Sequence, residues 1–381
     1  MTAASPKKRD LAYAGEWFLV ALLAAALAAL AMRWFYPDFM RGQLLPCAAL
    51  ALAPGCALRL IGYSSWQAHR FGLAAGLIAF MIANGTVDFA RLRDAATRPD
   101  LLCLCWLCIG LQPVVGALRW RALLTGQSIS LRFSEAWRLA LVGIFFNQFL
   151  PGHTGGDILR IYYVAKAAGR LESAASSVIC DRLLGLPPLI FLVALAAAAN
   201  SSFLCSSPAF MPYTAAMATG VAISGALLAV FFWPSAVAAA ASANSFWQRA
   251  QRAFTLYRGQ PRILLIALFW GFLGHLATFA ASLAAGQAAG VQNIPWLRYA
   301  LLVPMGLAAN AIPIAPGGVG QGEMAFAELF YAASGLSANL TAGATVMLCL
   351  RFGQILWGML GGIIYASGSH ALRDFSPSPE I

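Results

Sequence analysis

The chain has 381 residues, of which 60% are hydrophobic and only 10% charged. Soluble domains carry roughly 25% charged residues, so a water-soluble globule is excluded. The long Ala/Leu runs also exclude a β-barrel of short alternating strands. The net charge of +11 is no nucleic-acid signal, because the basic residues flank apolar runs, where they orient helices and meet anionic headgroups. An all-α polytopic membrane protein is the class that remains.

In chain order, Lys7, Lys8 and Arg9 precede a run from about Trp17 to Met32, read as an uncleaved anchor rather than a signal peptide. Further runs are about Leu44 to Gly62, Phe71 to Val87, Leu101 to Leu118, Ala136 to Leu150 and Leu183 to Ala199. Then come Tyr213 to Trp233, Ile263 to Gly290, Leu297 to Ile314 and Thr341 to Ala366. Full runs approach the roughly 20 residues a crossing helix needs. Cys103, Cys105 and Cys108 lie within a helix turn or so of one another with no His nearby, so no metal site is expected.

Two runs end in a break. The first reads Asn147-Gln-Phe-Leu-Pro-Gly-His-Thr-Gly-Gly-Asp-Ile-Leu-Arg160. Pro151 removes a backbone donor, and Gly152, Gly155 and Gly156 loosen the chain. Arg119, Arg121, Arg132 and Arg138 precede it, and Lys166, Arg170 and Arg182 follow. Basic residues on both flanks mark both ends as cytoplasmic, so this segment enters and returns rather than crosses. The Pro234–Arg262 loop, with Arg249, Arg252 and Arg258, is also inside, and the uncharged Asn200–Pro212 connection is outside. The loop from Asp88 to Asp100 conflicts: it should be outside yet holds Arg91, Arg93 and Arg98.

The second break reads Ile312-Pro-Ile-Ala-Pro-Gly-Gly-Val-Gly-Gln-Gly-Glu323, in a stretch from Ala311 to Leu340 without Lys or Arg. It enters from the opposite face. Pro151-Gly152 with Asp157 parallels Pro316-Gly317 with Glu323, and Cys180-Asp-Arg182 parallels Cys349-Leu-Arg351. The expected architecture is about eight spanning helices plus two re-entrant broken helices in an inverted repeat, a plan common among transporters.

Arg119-Trp-Arg121, Phe145 through Arg160, Ser177-Val-Ile-Cys-Asp-Arg-Leu-Leu-Gly185, Ile312 through Glu323, and Leu350-Arg351 together resemble the lysylphosphatidylglycerol synthase transmembrane family. The resemblance implies a flippase-like module in a bacterial inner membrane. Residues 1–70 would form an N-terminal extension with two extra transmembrane helices, 71–366 the flippase-like domain, and 367–381 a short tail, with both termini cytoplasmic. The synthase's aminoacyltransferase domain has no counterpart here, which marks a stand-alone member. Lysyl transfer therefore does not carry over, and lysylphosphatidylglycerol is a doubtful substrate.

The expected function is translocation of a phosphate-bearing lipid, either a modified phospholipid or a polyprenyl-phosphate-linked precursor. The substrate set is Arg160, Arg182, Arg351, Asp157, Glu323, Gly155, Gly156, Gly317, Gly318 and Asn147. Asp181, His153 and Gln321 would serve coupling or gating. A guanidinium fork fits phosphate oxygens, and a charge in a membrane segment is costly unless paired or hydrated. The rival reading has Arg351 paired with Glu323, and Arg182 with Asp157 or Asp181, locking the hairpins. The glycines either offer N–H groups to phosphate or let the hairpin turn tightly. His275 is read as satisfied by a neighbouring helix. No P-loop, Gly-x-Ser-x-Gly elbow or His-Glu-x-x-His motif is present, so no enzyme, cofactor or metal is expected. The partners expected are the lipid and, as alternatives, a lipid-modifying enzyme or glycosyltransferase; an oligomer is compatible, nucleic acid is not. The competing functions are an intramembrane lipid-phosphate transferase subunit and a non-transporting scaffold.

Overall fold

The computed structural model describes residues 86–149, 155–232, 259–311 and 316–367, together with Met81 and Tyr257. The first two apolar runs, most of the third, residues 150–154 with His153, most of the Pro234–Arg262 loop, residues 312–315 and the tail beyond Ser367 lie outside the described residues. Every regular element among the described residues is a helix.

A short helix, α1 (Phe89–Ala96), starts where the Asp88 carboxylate accepts the Ala90 and Arg91 N–H groups. Arg91 then donates to the Ala289 carbonyl at 2.8 Å. That bond places a cation at a helix C-terminus and gives Arg91 a structural role in the loop whose basic residues conflicted with its expected side. Helix α2 (Pro99–Thr125) opens with Pro99 in its first turn, where a missing N–H costs nothing. It packs along α9 (Pro261–Ala288), whose buried face is built from small residues such as Ala267, Gly271, Gly274 and Ala281. Small side chains let membrane helices approach closely.

Between them come α3 (Phe133–Phe149), α4 (Gly155–Ala168), α5 (Leu171–Leu184) and α6 (Leu186–Ala199). A short helix α7 (Ser201–Ser206), a 3-10 turn at Pro208–Phe210 and the largely exposed α8 (Met211–Phe232) follow. After α9 the chain makes α10 (Trp296–Ala311), a 3-10 turn at Pro316–Gly318, α11 (Gln321–Ser334) and α12 (Ala338–Ala366). The order of long helix, broken hairpin, long helix therefore occurs twice.

Four described helical stretches are long and apolar enough to cross a membrane: Pro99–Thr125, Leu171–Ala199, Pro261–Ala288 and Ala338–Ala366. Two sequence boundaries need correction. Hydropathy ends a run at Leu118 and begins one at Leu183, yet α2 continues to Thr125 and α5 begins at Leu171. Asp181 and Arg182 thus sit inside a helix rather than on its flank. Pro187 and Pro188 are tolerated because they fall in the first turn of α6.

The arms of the two hairpins are shorter, at 17 and 14 residues for α3 and α4, and 16 and 14 for α10 and α11. At about 1.5 Å per residue each reaches only about 21–26 Å, against a hydrocarbon layer of about 30 Å. The arms of the first hairpin meet backbone to backbone, and a Cβ on Gly156 would lie 2.7 Å from the Gly143 Cα. The connections gather into two sets. Asn200 with Leu297, Gln292 with Asn339, and Arg298 with Ala333 hydrogen-bond at one end, where Arg91 also meets Ala289. Leu123, Gly126, Gln127, Ser176, Tyr257 and Gln260 bond to one another at the other.

Overpacking a tight contact costs about 1–3 kcal/mol. Gly156→Val is therefore expected to lower the Tm of the purified protein. Gly220→Val, at a site with nothing within 4 Å of a new Cβ, is expected to leave it near wild type. Equal melting temperatures would contradict the backbone contact.

Candidate functional site

The two breaks share one pattern. Gly143-Ile-Phe-Phe-Asn147 precedes the first and Gly306-Leu-Ala-Ala-Asn310 the second. Gly156-Asp157 and Gly322-Glu323 begin the helices that follow. Each acid then pairs with an arginine further along the chain. Arg182 Nε donates to Asp157 Oδ2 at 2.8 Å, across 25 residues. Arg351 Nε donates to Glu323 Oε1, across 28 residues, and Nη2 reaches Oε2 at 3.1 Å.

The two pairs occupy different surroundings. Arg351 and Glu323 are sealed, with side chains 7% and 3% exposed. Arg351 also donates to the Gly317 carbonyl at 2.6 Å, the Gly318 carbonyl at 3.0 Å and Asn310 Oδ1 at 3.1 Å. Gly317 and Gly318 sit at φ 57° and 70°, a conformation that costs an L side chain roughly 1–2 kcal/mol. The turn they make aims both carbonyls at one guanidinium. Glu323 Oε2 additionally accepts the Gly320 N–H at 2.8 Å. A buried charge pair is tolerable when its remaining donors and acceptors are met in this way. Gln321 Nε2 donates to the Ala309 and Asn310 carbonyls, both at 3.0 Å, and fastens α11 to α10.

The first pair opens onto a cavity of about 390 Å3 between α2, α3, α4, α5, α9 and α12. Arg119, Arg160 and Arg182 line it together with Asp157 and Asp181, so three guanidiniums face two carboxylates. Asp181 is the hub. Its Oδ1 accepts from Arg119 Nε at 2.6 Å, and its Oδ2 lies 3.4 Å from Arg160 Nη1. Arg160 also lies 5.2 Å from the centre of the Trp120 ring, and Trp120 is held by a bond from Nε1 to Ser177 Oγ. The Gly156 N–H, an orphan donor at the start of α4, is taken by Asn147 Oδ1 at 2.8 Å. His275 Nε2 donates to the Gly185 carbonyl at 3.0 Å, so a neighbouring helix does satisfy it.

Of the residues singled out in the sequence, Asn147, Gly156, Asp157, Arg160, Asp181 and Arg182 line the cavity. Arg351, Glu323, Gly317, Gly318, Gly155 and Gln321 do not. The first five of these lie around or near the sealed pair or the start of a hairpin arm, and Gln321 serves the hairpin joint. His153 falls outside the described residues. The halves nevertheless touch, because a Cβ on Gly317 would come within 3.4 Å of Gln148 Oε1. The sequence reading missed Arg119, counted there as a flanking charge. Its signal is the Arg119-Trp-Arg121 triplet, provided the helix is carried past Leu118. Gln112, hydrogen-bonded to the Gly274 carbonyl and to Thr278 Oγ1, was also missed, as was Glu328, a buried carboxyl on α11 away from the cavity.

A family model described as "Lysylphosphatidylglycerol synthase TM region" matches residues 67–360. The chain belongs to this family. Two relatives in the family's neighbourhood carry the name UPF0104 membrane protein. The protein PH1989 of Pyrococcus horikoshii is 29% identical over 128 residues, covering 33% of this chain and 38% of its own length. The one from Methanothermobacter thermautotrophicus is 23% identical over 326 residues, covering 77% of this chain and 92% of its own length. No solved structure matches. The chain is therefore a membrane protein of this family, and its described apolar helices surround a charged cavity.

Removing one partner of a buried ion pair costs about 3–5 kcal/mol, whereas an exposed pair is worth about 0–1 kcal/mol. Arg351→Met is therefore expected to destabilise the protein strongly in thermal or denaturant unfolding, and Arg182→Met only slightly. Equal losses would count against a sealed latch in the second hairpin.

Proposed function

We propose that this protein is a lipid transporter of the bacterial inner membrane, moving a phosphate-bearing lipid between leaflets. The observation that carries the reading is the cluster of three guanidiniums and two carboxylates lining a cavity inside a bundle of apolar helices. Charges at membrane depth are costly and commonly mark substrate pathways. In this reading α3–α4 and α10–α11 are re-entrant hairpins of an inverted repeat among about eight crossings. Both termini are cytoplasmic.

The headgroup phosphate enters the cavity and competes with Asp181 for Arg119 and Arg160. A guanidinium binds either carboxylate or phosphate in the same forked geometry. Exchange of one anion for the other keeps both guanidiniums paired, and the Arg182 charge, which also lines the cavity, remains to balance Asp181. Arg182 and Asp157 open and close at the more exposed side of the cavity. The acyl or prenyl chains stay in the bilayer. The Arg351–Glu323 latch is the fixed frame against which the first hairpin works. The sequence carries no P-loop, so uphill movement draws on an ion gradient and downhill movement needs none.

The test is a reconstituted one. Purified protein in liposomes is given a fluorescent phospholipid, and an impermeant quencher reports the leaflet. Wild type is expected to translocate the lipid without changing its mass. Arg119→Gln and Arg160→Gln are expected to slow it about tenfold or more, the loss of one charge-assisted bond of about 1.5–3 kcal/mol. A changed lipid mass would instead indicate a transferase, and neither translocation nor chemistry would indicate a scaffold.

A further inference from the structure

The cavity also carries information about what the phosphate is attached to, and the argument rests on the reading of that cavity as the headgroup site. Both carboxylates that line it are already held by guanidiniums: Asp157 by Arg182 at 2.8 Å, and Asp181 by Arg119 at 2.6 Å. The lining therefore holds one surplus positive charge and offers a cationic headgroup no uncommitted carboxylate. Beside the guanidiniums, whose Arg160 Nε is without a hydrogen-bond partner, the other groups open for hydrogen bonding among the described lining residues are neutral. Gln148 and Gln354 line the cavity with no hydrogen-bond partner for either carboxamide among the described residues. Asn147 uses its carbonyl oxygen on the Gly156 N–H, which leaves its NH2 group. Gln112 uses its NH2 group on Gly274 and Thr278, which leaves its carbonyl oxygen. His275 uses Nε2 on Gly185, which leaves Nδ1 as an acceptor.

Carboxamides both donate and accept, as hydroxyl groups do. A set of neutral donors and acceptors beside an arginine cluster complements an anion that carries hydroxyls. The volume of about 390 Å3 lies near the lower end of the roughly 300–1,000 Å3 of ligand pockets. It has room for a phosphate and one ring-sized unit, and none for a long oligosaccharide. We infer that the headgroup is an anionic phosphodiester bearing a small neutral polyol or single sugar, and that an aminoacylated, cationic headgroup is disfavoured.

The experiment measures lipid retention on the full chain in detergent by native mass spectrometry. Three probes are used: phosphatidylinositol, phosphatidic acid and lysyl-phosphatidylglycerol. Wild type is expected to retain phosphatidylinositol about tenfold more strongly than either of the others, the size of one or two added hydrogen bonds. The Gln148→Leu/Gln354→Leu double variant is expected to lose that preference while holding phosphatidic acid as wild type does. Equal retention of phosphatidylinositol and phosphatidic acid by wild type would overturn the inference and leave the phosphate site standing. Preference for lysyl-phosphatidylglycerol would overturn it in favour of a cationic headgroup. Retention of all three that is unchanged by Arg160→Gln would remove the cavity as the lipid site altogether. The wild-type comparison decides between polyol and bare phosphate even if the double variant does not fold.

Discussion

The structure depends on one constraint: a charge placed among apolar helices must bring its own counter-charge. Each half meets it in the same manner. An acid at the start of a hairpin's second arm binds an arginine on the helix that follows, Asp157 with Arg182 and Glu323 with Arg351. Each pair ties a short arm to a long helix. The described arms are shorter than the long helices, and these bonds and close backbone contact fasten them to the bundle. Loss of one partner of the sealed pair would leave both an orphaned charge and an unfastened arm.

From a shared pattern the two halves have diverged in setting. In the second, two glycine carbonyls, an asparagine and a carboxylate all converge on Arg351, and the site is closed. In the first, the pair borders a cavity, and Asp181 adds Arg119 and Arg160 to it. One half is saturated and the other retains hydrogen-bonding capacity. The sealed half is closed around its ion pair, and the open half borders a cavity, so one pattern serves two different settings.

Much of this was legible in the sequence because its signals are local. Proline and glycine clusters at 151–156 and 313–322 announce breaks, and a carboxylate or guanidinium in an apolar run stands out on its own. The pairing of Asp157 with Arg182 and of Glu323 with Arg351 was one of the open alternatives. The choice between latch and ligand site for Arg351 was not legible, because it turns on where backbone carbonyls point. Arg119 was missed for a physical reason: hydropathy falls where a membrane helix carries an arginine, so the run stops at Leu118 while the hydrogen-bonded helix goes on. The same effect hid the first turns of α5 and put Asp181 outside its helix. Hydropathy measures transfer from water, and a buried ion pair defeats it.

The contact between Gly143 and Gly156 has a mechanical consequence. Most helix pairs meet through side chains that can change rotamer, so their spacing has some compliance. Here backbone rests on backbone, with no side chain between to compress or extend. The residue after Gly156 is Asp157, so the carboxylate facing Arg182 is mounted on a stop of fixed height. The height of that backbone over α3 is set by direct van der Waals contact, with no side chain to adjust it. The Asp157 backbone therefore cannot move closer to α3, and its carboxylate shifts by rotation about its own side-chain bonds or by sliding of one arm along the other.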